Sequence, residues 1–220
     1  DDGAHNDGAA GDGVYGATIP AAAASAGQLI RYYVTAADSS GATNREPVFL
    51  DPPNSPQYQG TMVENPAATS KLPIVHWFVA DTAAAETGTG TRCGVFYAGR
   101  YYDNLFVRIR GGTARSWPKK SYKIEMNDGF SFEPAPGWPA VTEFDLNATY
   151  TDKSFNRAVV TAETGEAAGL ASPGTFHVQV RQNGAFYSVA LFVEQVDRDF
   201  LSRHGLDSNG SLYKCNPGSY

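Results

Sequence analysis

The 220-residue chain is 42% hydrophobic and 12% aromatic, enough to bury one large core, or one core with a fragment of a second. Its net charge of -6 and pI near 5.2 exclude the broad positive field that non-specific binding to nucleic acid or a membrane surface requires. No apolar run approaches the roughly 20 residues of a membrane span, and the opening DDGAHNDGAAGDG lacks the basic and apolar parts of a signal peptide. The chain therefore reads as part of a larger multidomain protein.

In chain order, Asp2, Asp7 and Asp12 come first, spaced by glycines. Such carboxylates are oxygen ligands of the type calcium takes. Their spacing departs from the EF-hand pattern, and a solvated, turn-rich loop is the preferred reading. Short runs rich in Tyr, Val, Ile and Thr follow, with Ile30, Tyr32 and Val34 on one face and Arg31, Tyr33 and Thr35 on the other. Residues 1–50 are thus expected to be the C-terminal part of an immunoglobulin-like β-sandwich. Residues 51–70, opening with DPPNSPQYQG, read as an extended linker because proline cannot donate to a ladder.

Residues 71–220 form the second region. LPIVHWFVAD predicts a strand, and TAAAET a short helix capped by Asp81 or Thr82. GVFYAGRYYDNLFVRIRGG and KKSYKIEMNDG predict antiparallel strands, with Leu105, Val107 and Ile109 facing one way and Phe106, Arg108 and Arg110 the other. Six of the 17 Lys and Arg fall between residues 108 and 123, and a local cluster in an acidic chain points to a local anion. An apolar stripe of Phe155, Ala158, Val159 and Ala162 predicts the main helix, with Asp152 as N-cap and Gly169 as its end. Asn183-Gly184 between two alternating stretches predicts a hairpin. An acidic exit from Glu194 to Asp197 leads into a short helix closing at Gly205. Cys93 and Cys215 match no zinc spacing; two free buried thiols are the simpler reading, and a disulfide between them is left open.

The expected fold class is α+β: an antiparallel sheet with one main helix, ordered like the small lobe and hinge of a protein kinase, preceded by a partial β-sandwich. Four stretches, RYYDNLFVRIRGGTARSWPKKSYKIEM, FDLNATYTDKSFNRAV, VRQNGAFYSVALFVEQVDRDFL and GSLYK, resemble the CotH kinase family of atypical protein kinases, over residues 72–214. The resemblance implies phosphoryl transfer from ATP, with Mg or Mn, to serine on a protein substrate, and an extracellular or cell-surface location. Such chemistry needs positive groups around the phosphates. Arg110, Lys120 and Lys123 are the candidate phosphate contacts, whereas Arg108, Arg115 and Lys119 read as a solvated turn. The resemblance also singles out Arg157, which either meets phosphate or anchors the helix to Asp145 or Asp152, and Glu194, at the expected hinge. Tyr213 is a candidate adenine platform. The family's catalytic and metal-binding aspartates lie in motifs downstream of LYK that this sequence does not reach, so no catalytic residue is expected in it.

The alternative is a non-catalytic surface module that binds a protein or a cell-wall polymer through exposed aromatics, namely Tyr101, Tyr102, Trp117 and Trp138.

Overall fold

Before residue 63 the sequence alternates without a sustained apolar face, and the strands it forms stay short. The computed structural model describes residues 1–213. Strand β1 (Leu29–Tyr32) pairs with β4 (Gln59–Met62), and β2 (Val34–Ala37) with β3 (Thr43–Glu46), giving two separate two-stranded ribbons. Every residue of β2 is exposed, Val34 included, and so is Tyr32. The expected partial sandwich is therefore not what forms: two-stranded ribbons with exposed faces have no second sheet to bury against.

The apolar alternation sharpens from Ile74 onward, and there a core appears. Strands β5 (Ile74–Val79), β6 (Thr91–Tyr97), β7 (Arg100–Ile109), β8 (Tyr122–Glu125), β9 (Glu143–Asn147), β10 (Thr175–Gln182) and β11 (Ala185–Glu194) close into a seven-stranded barrel in the order β10-β11-β9-β8-β7-β6-β5. The expected open kinase-lobe sheet is corrected here: the protein is mostly β, and its sheet is a closed barrel. Strand directions that alternate around an odd number of strands cannot all match at the seam. One junction must be parallel, and it is β5 with β10, in the register Ile74 to Gln179 through Trp77 to Gln182. Nothing local in either strand signals that pairing.

Inward residues fill the barrel. Val75, Trp77 and Val79 meet Val95, Leu105, Val107, Ile124, Phe144, Val178, Val180 and Phe192, all buried. Phe132, from the segment between β8 and β9, seals one end, stacked at 4.4 Å on Phe144. A small barrel filled by its own side chains is a core and not a pore, so any binding site lies on its outside or at its rim. Cys93 is part of this interior, its thiol pushed up to about 12 by burial; Cys215 lies outside the described residues, and the disulfide question with it.

Among the described residues, three α-helices complete the fold: α1 (Thr82–Ala85), α2 (Arg157–Ala167) and α3 (Arg198–Arg203). The Asp81 carboxylate caps α1 through Ala84 N–H at 2.8 Å, as its sequence predicts. Helix α2 is the predicted main helix, but it buries no residue, and Phe155 lies before its first turn at a positive φ of 59°. Gly169, at φ 79°, follows its end.

The segment read as a linker is tied to the barrel wall. Asp103 Oδ2 accepts the N–H groups of Gln57 and Tyr58, both at 2.8 Å, while Tyr101 Oη donates to Oδ1 at 2.6 Å. Asn104 Nδ2 donates to the carbonyls of Pro52 and Ser55. The Tyr101 ring lies between Gly60 of β4 and Gly94 of β6, where a Cβ on either glycine would strike it.

Candidate functional site

The basic stretch leaves the barrel where β7 ends. Arg110 N–H donates to the Ser121 carbonyl at 2.9 Å, closing the base of a loop that spans residues 110–121. Gly111 takes φ 93°, a left-handed conformation that glycine adopts at little cost and that turns the chain out of the sheet. A 3-10 turn over Thr113–Ser116 follows. The buried hydroxyl of Ser121 accepts the N–H of Ala148 at 2.9 Å, which joins the loop base to the exit of β9. Trp117 packs against Tyr150 with ring centroids 5.9 Å apart. The loop thus lies over the segment between β9 and α2, at one end of the barrel.

On the outer face below the loop, strand register alternates the charges. Lys123 stands opposite Arg108 on one side and Asp145 on the other. Arg110 forms an ion pair with the buried Asp145 and donates to Asn147 Oδ1 at 2.9 Å. Lys123 Nζ lies 2.5 Å from Glu143 Oε2 and 3.5 Å from Glu125 Oε1, and Arg108 lies 3.4 Å from Glu125. Three cations of the cluster are thereby committed to carboxylates of the same wall.

The other three are not. Among the described residues, Arg115, Lys119 and Lys120 have no carboxylate within 4.0 Å. Lys120 Nζ donates to the Arg115 carbonyl at 2.7 Å. Lys119 Nζ donates to the Val189 carbonyl on β11 and lies 5.3 Å from the centroid of the Phe155 ring. Burial there lowers the pKa of its ammonium. The positive charge open to an external anion therefore belongs to the loop and not to the strands. Of these three the sequence predicts only Lys120 as a contact, and it reads Lys119 and Arg115 as part of a solvated turn. Nothing in the local sequence separates Lys119 from Lys120, because the partners of Lys119 come from β11 and from Phe155.

The remaining predicted residues are spread out. Arg157 opens α2, where Asp152 receives its backbone N–H at 2.9 Å and lies 3.5 Å from its guanidinium; the side chain is 80% exposed. Of its two possible anchors, it uses Asp152. Glu194 ends β11 on the inward side, buried, and pairs with Arg203 of α3 at 2.6 Å while accepting Gly174 N–H at 2.8 Å. Arg203 also donates to the Ser172 carbonyl at 2.7 Å, so this pair pins α3 under the barrel. Sequence reasoning missed Arg203, although its place in the last turn of RDFLSRHG is the signal for it. Tyr213 is 89% exposed.

At the N-terminus, Asp7 accepts Asp2 N–H at 3.1 Å, Asp2 accepts Ala4 N–H, and Asp12 accepts the N–H groups of Ala9 and Val14. Each of these carboxylates thus meets the loop's own backbone. The aromatics expected at an exposed recognition surface are placed differently. Tyr102 is buried, Trp138 packs on Phe176 and Phe192, Trp117 is half-buried, and Tyr101 is wedged between two glycines.

Comparison with known sequences bears on the same part of the chain. Inner spore coat protein H of Bacillus subtilis (strain 168) is 29% identical over 110 residues, which make up 50% of this chain and 29% of that protein. The chain thus spans less than a third of the length of that relative. A family described as CotH kinase protein matches residues 107–219, from within β7 through the basic loop, α2 and the β10–β11 hairpin to α3 and beyond. That match takes in just over half of the chain and all six clustered cations, and the chain belongs to the CotH kinase family.

Proposed function

We propose that the chain is the nucleotide-binding part of a surface-located CotH-type kinase that passes phosphate from ATP to serine on a protein. One observation carries the reading. Within the family-matched segment, the glycine-hinged loop 110–121 presents Arg115, Lys119 and Lys120 with no acidic partner among the described residues, while its base is fixed by Arg110 on Asp145. Phosphoryl transfer asks a protein chiefly for positioning and for positive charge at the phosphates.

ATP, when bound, supplies the transferable phosphoryl group. The chain's own residues divide the remaining work. Lys120 and Arg115 are the preferred phosphate contacts, with Lys119 beneath them. Arg110 and Lys123, already neutralised by Asp145 and Glu143, hold the loop's base in register and are positioning residues. Among the described residues, no group of three or more Asp, Glu, His or Cys is arranged to hold a metal ion. A surface location accords with the relative's name, and no helix among the described residues is long and apolar enough to cross a membrane.

Titration calorimetry with ATP tests the proposal. Lys120→Ala and Arg115→Ala should each weaken binding by about 1 to 2 kcal/mol, the lower part of the range for charge-assisted hydrogen bonds, since both groups are solvated. Unchanged affinity in variants that melt at the parent temperature would remove the loop from nucleotide binding.

A further inference from the structure

A well-formed cleft lies away from the basic loop. It encloses about 740 Å³ between the β1–β4 ribbon and the outer wall formed by β5, β6 and β7. That volume is within the 300 to 1,000 Å³ span typical of small-molecule sites, and such sites favour junctions between structural units. Asp103 lines the cleft near the start of β7, whereas Arg110 follows that strand's other end. Seven residues at about 3.3 Å each separate them by roughly 20 Å.

The charges lining the cleft are unequal. Arg31 and Arg92 both line it, against the single carboxylate of Asp103. Both oxygens of Asp103 are engaged, taking two backbone N–H groups and the Tyr101 hydroxyl. Neither arginine has an ion-pair partner among the described residues. Arg92 gives one hydrogen bond, from Nη1 to the Asn104 carbonyl at 3.0 Å, and Arg31 stands 4.9 Å from the centroid of the Tyr58 ring. A guanidinium carries five N–H donors in a planar fork that matches a carboxylate or phosphate. The amides of Asn104 and Asn183, also in the lining, are occupied by backbone groups. The charged donors left in the cleft therefore come from two arginines on opposite walls, one on the ribbon and one on the barrel.

We propose that this cleft binds a small organic anion, a sugar-sized molecule bearing a phosphate or carboxylate group, held between Arg31 and Arg92. The site is distinct from the loop assigned to ATP and does not depend on that assignment.

The test is titration calorimetry on the whole chain with glucose 6-phosphate, glucuronate and, as the uncharged control, glucose. Binding of either anion but not of glucose is expected, weakening as salt is raised. Arg31→Gln should lower the affinity about tenfold or more, the loss that one charge-assisted contact represents. Arg31 is exposed, with its guanidinium over the Tyr58 ring and no ion pair among the described residues, so this variant is expected to fold even where Arg92→Gln does not, and it decides the outcome alone. Failure of both anions to bind, equal binding of glucose, or unchanged affinity in Arg31→Gln would overturn the proposal. Anion binding by the basic loop would give the last of these results.

Discussion

Arg110 and Lys119 stand nine residues apart in one loop and illustrate two uses of a positive charge. The Asp145 side chain is 3% exposed, and the Arg110 guanidinium is its cationic partner on the barrel wall. Removing one member of a buried pair leaves a charge in a medium that solvates it poorly. Arg110→Ala is therefore expected to lower unfolding free energy by about 3 kcal/mol, read from urea denaturation. A loss well below 1 kcal/mol would mean that water or the other surroundings of Asp145 compensate its charge. Lys119 carries a different liability. Burial holds its folded-state pKa below the ordinary 10.5, so the unfolded chain binds this proton more tightly. Between the two values Lys119 makes the unfolded state hold more protons, so its own contribution to stability rises with pH, against Cys93, Tyr101 and Tyr122, whose pKa values burial raises and whose contribution falls with pH. Urea midpoints measured upward toward pH 10.5 should therefore follow a more positive slope in the parent than in Lys119→Met. Identical slopes in the two proteins would place Lys119 in water.

At the scale of elements, local chemistry was legible and non-local pairing was not. The hairpin at Asn183-Gly184 could be read because a two-residue turn needs φ above zero at both positions, and the structure has 49° and 86°. What the sequence does not disclose is the second task of Asn183. Its Oδ1 accepts the Val79 N–H and its Nδ2 donates to the Val79 carbonyl, both at 2.9 Å, so the side chain continues the β5 ladder where β10 has ended. Asn183→Asp keeps the turn preference but loses the donor. It should destabilise the protein by about 1 to 3 kcal/mol, the cost of a buried carbonyl left unmatched, as thermal unfolding would show. The apolar stripe of α2 was also legible, yet the helix buries nothing, because Phe155 goes beneath Lys119 instead of into a core.

Across the whole molecule, composition marked residues 51–60 as a proline-rich connection but disclosed neither the turn at residues 52–55 nor the anchor of the segment. Asp103, Asn104 and Tyr101 lie more than 40 residues further along the chain, and hydrogen bonds between distant segments leave no periodic trace in either. Likewise, the loop cations were visible as a cluster, while their division into paired and unpaired sets depends on which strands become neighbours. A tied segment resists proteases that cut an extended linker. Chymotrypsin should cut slowly after Tyr58 in the parent protein and quickly in Asp103→Ala, which deprives the Gln57 and Tyr58 N–H groups of their acceptor. Equal rates, followed by mass spectrometry of the fragments, would show that the ribbon is held by other contacts.

The parallel seam between β5 and β10 also sets an order of events during synthesis. Strand β5 leaves the ribosome about a hundred residues ahead of the strand that covers its free edge, and β9 waits in the same way for β11. For the time needed to translate the intervening segment, at roughly 5–20 residues per second, the nascent sheet carries two unsatisfied edges and a half-open apolar interior. A single hairpin then covers both edges at once. The growing chain is thus most exposed to unwanted strand pairing just before residue 175, and a pause in translation there would prolong the exposure.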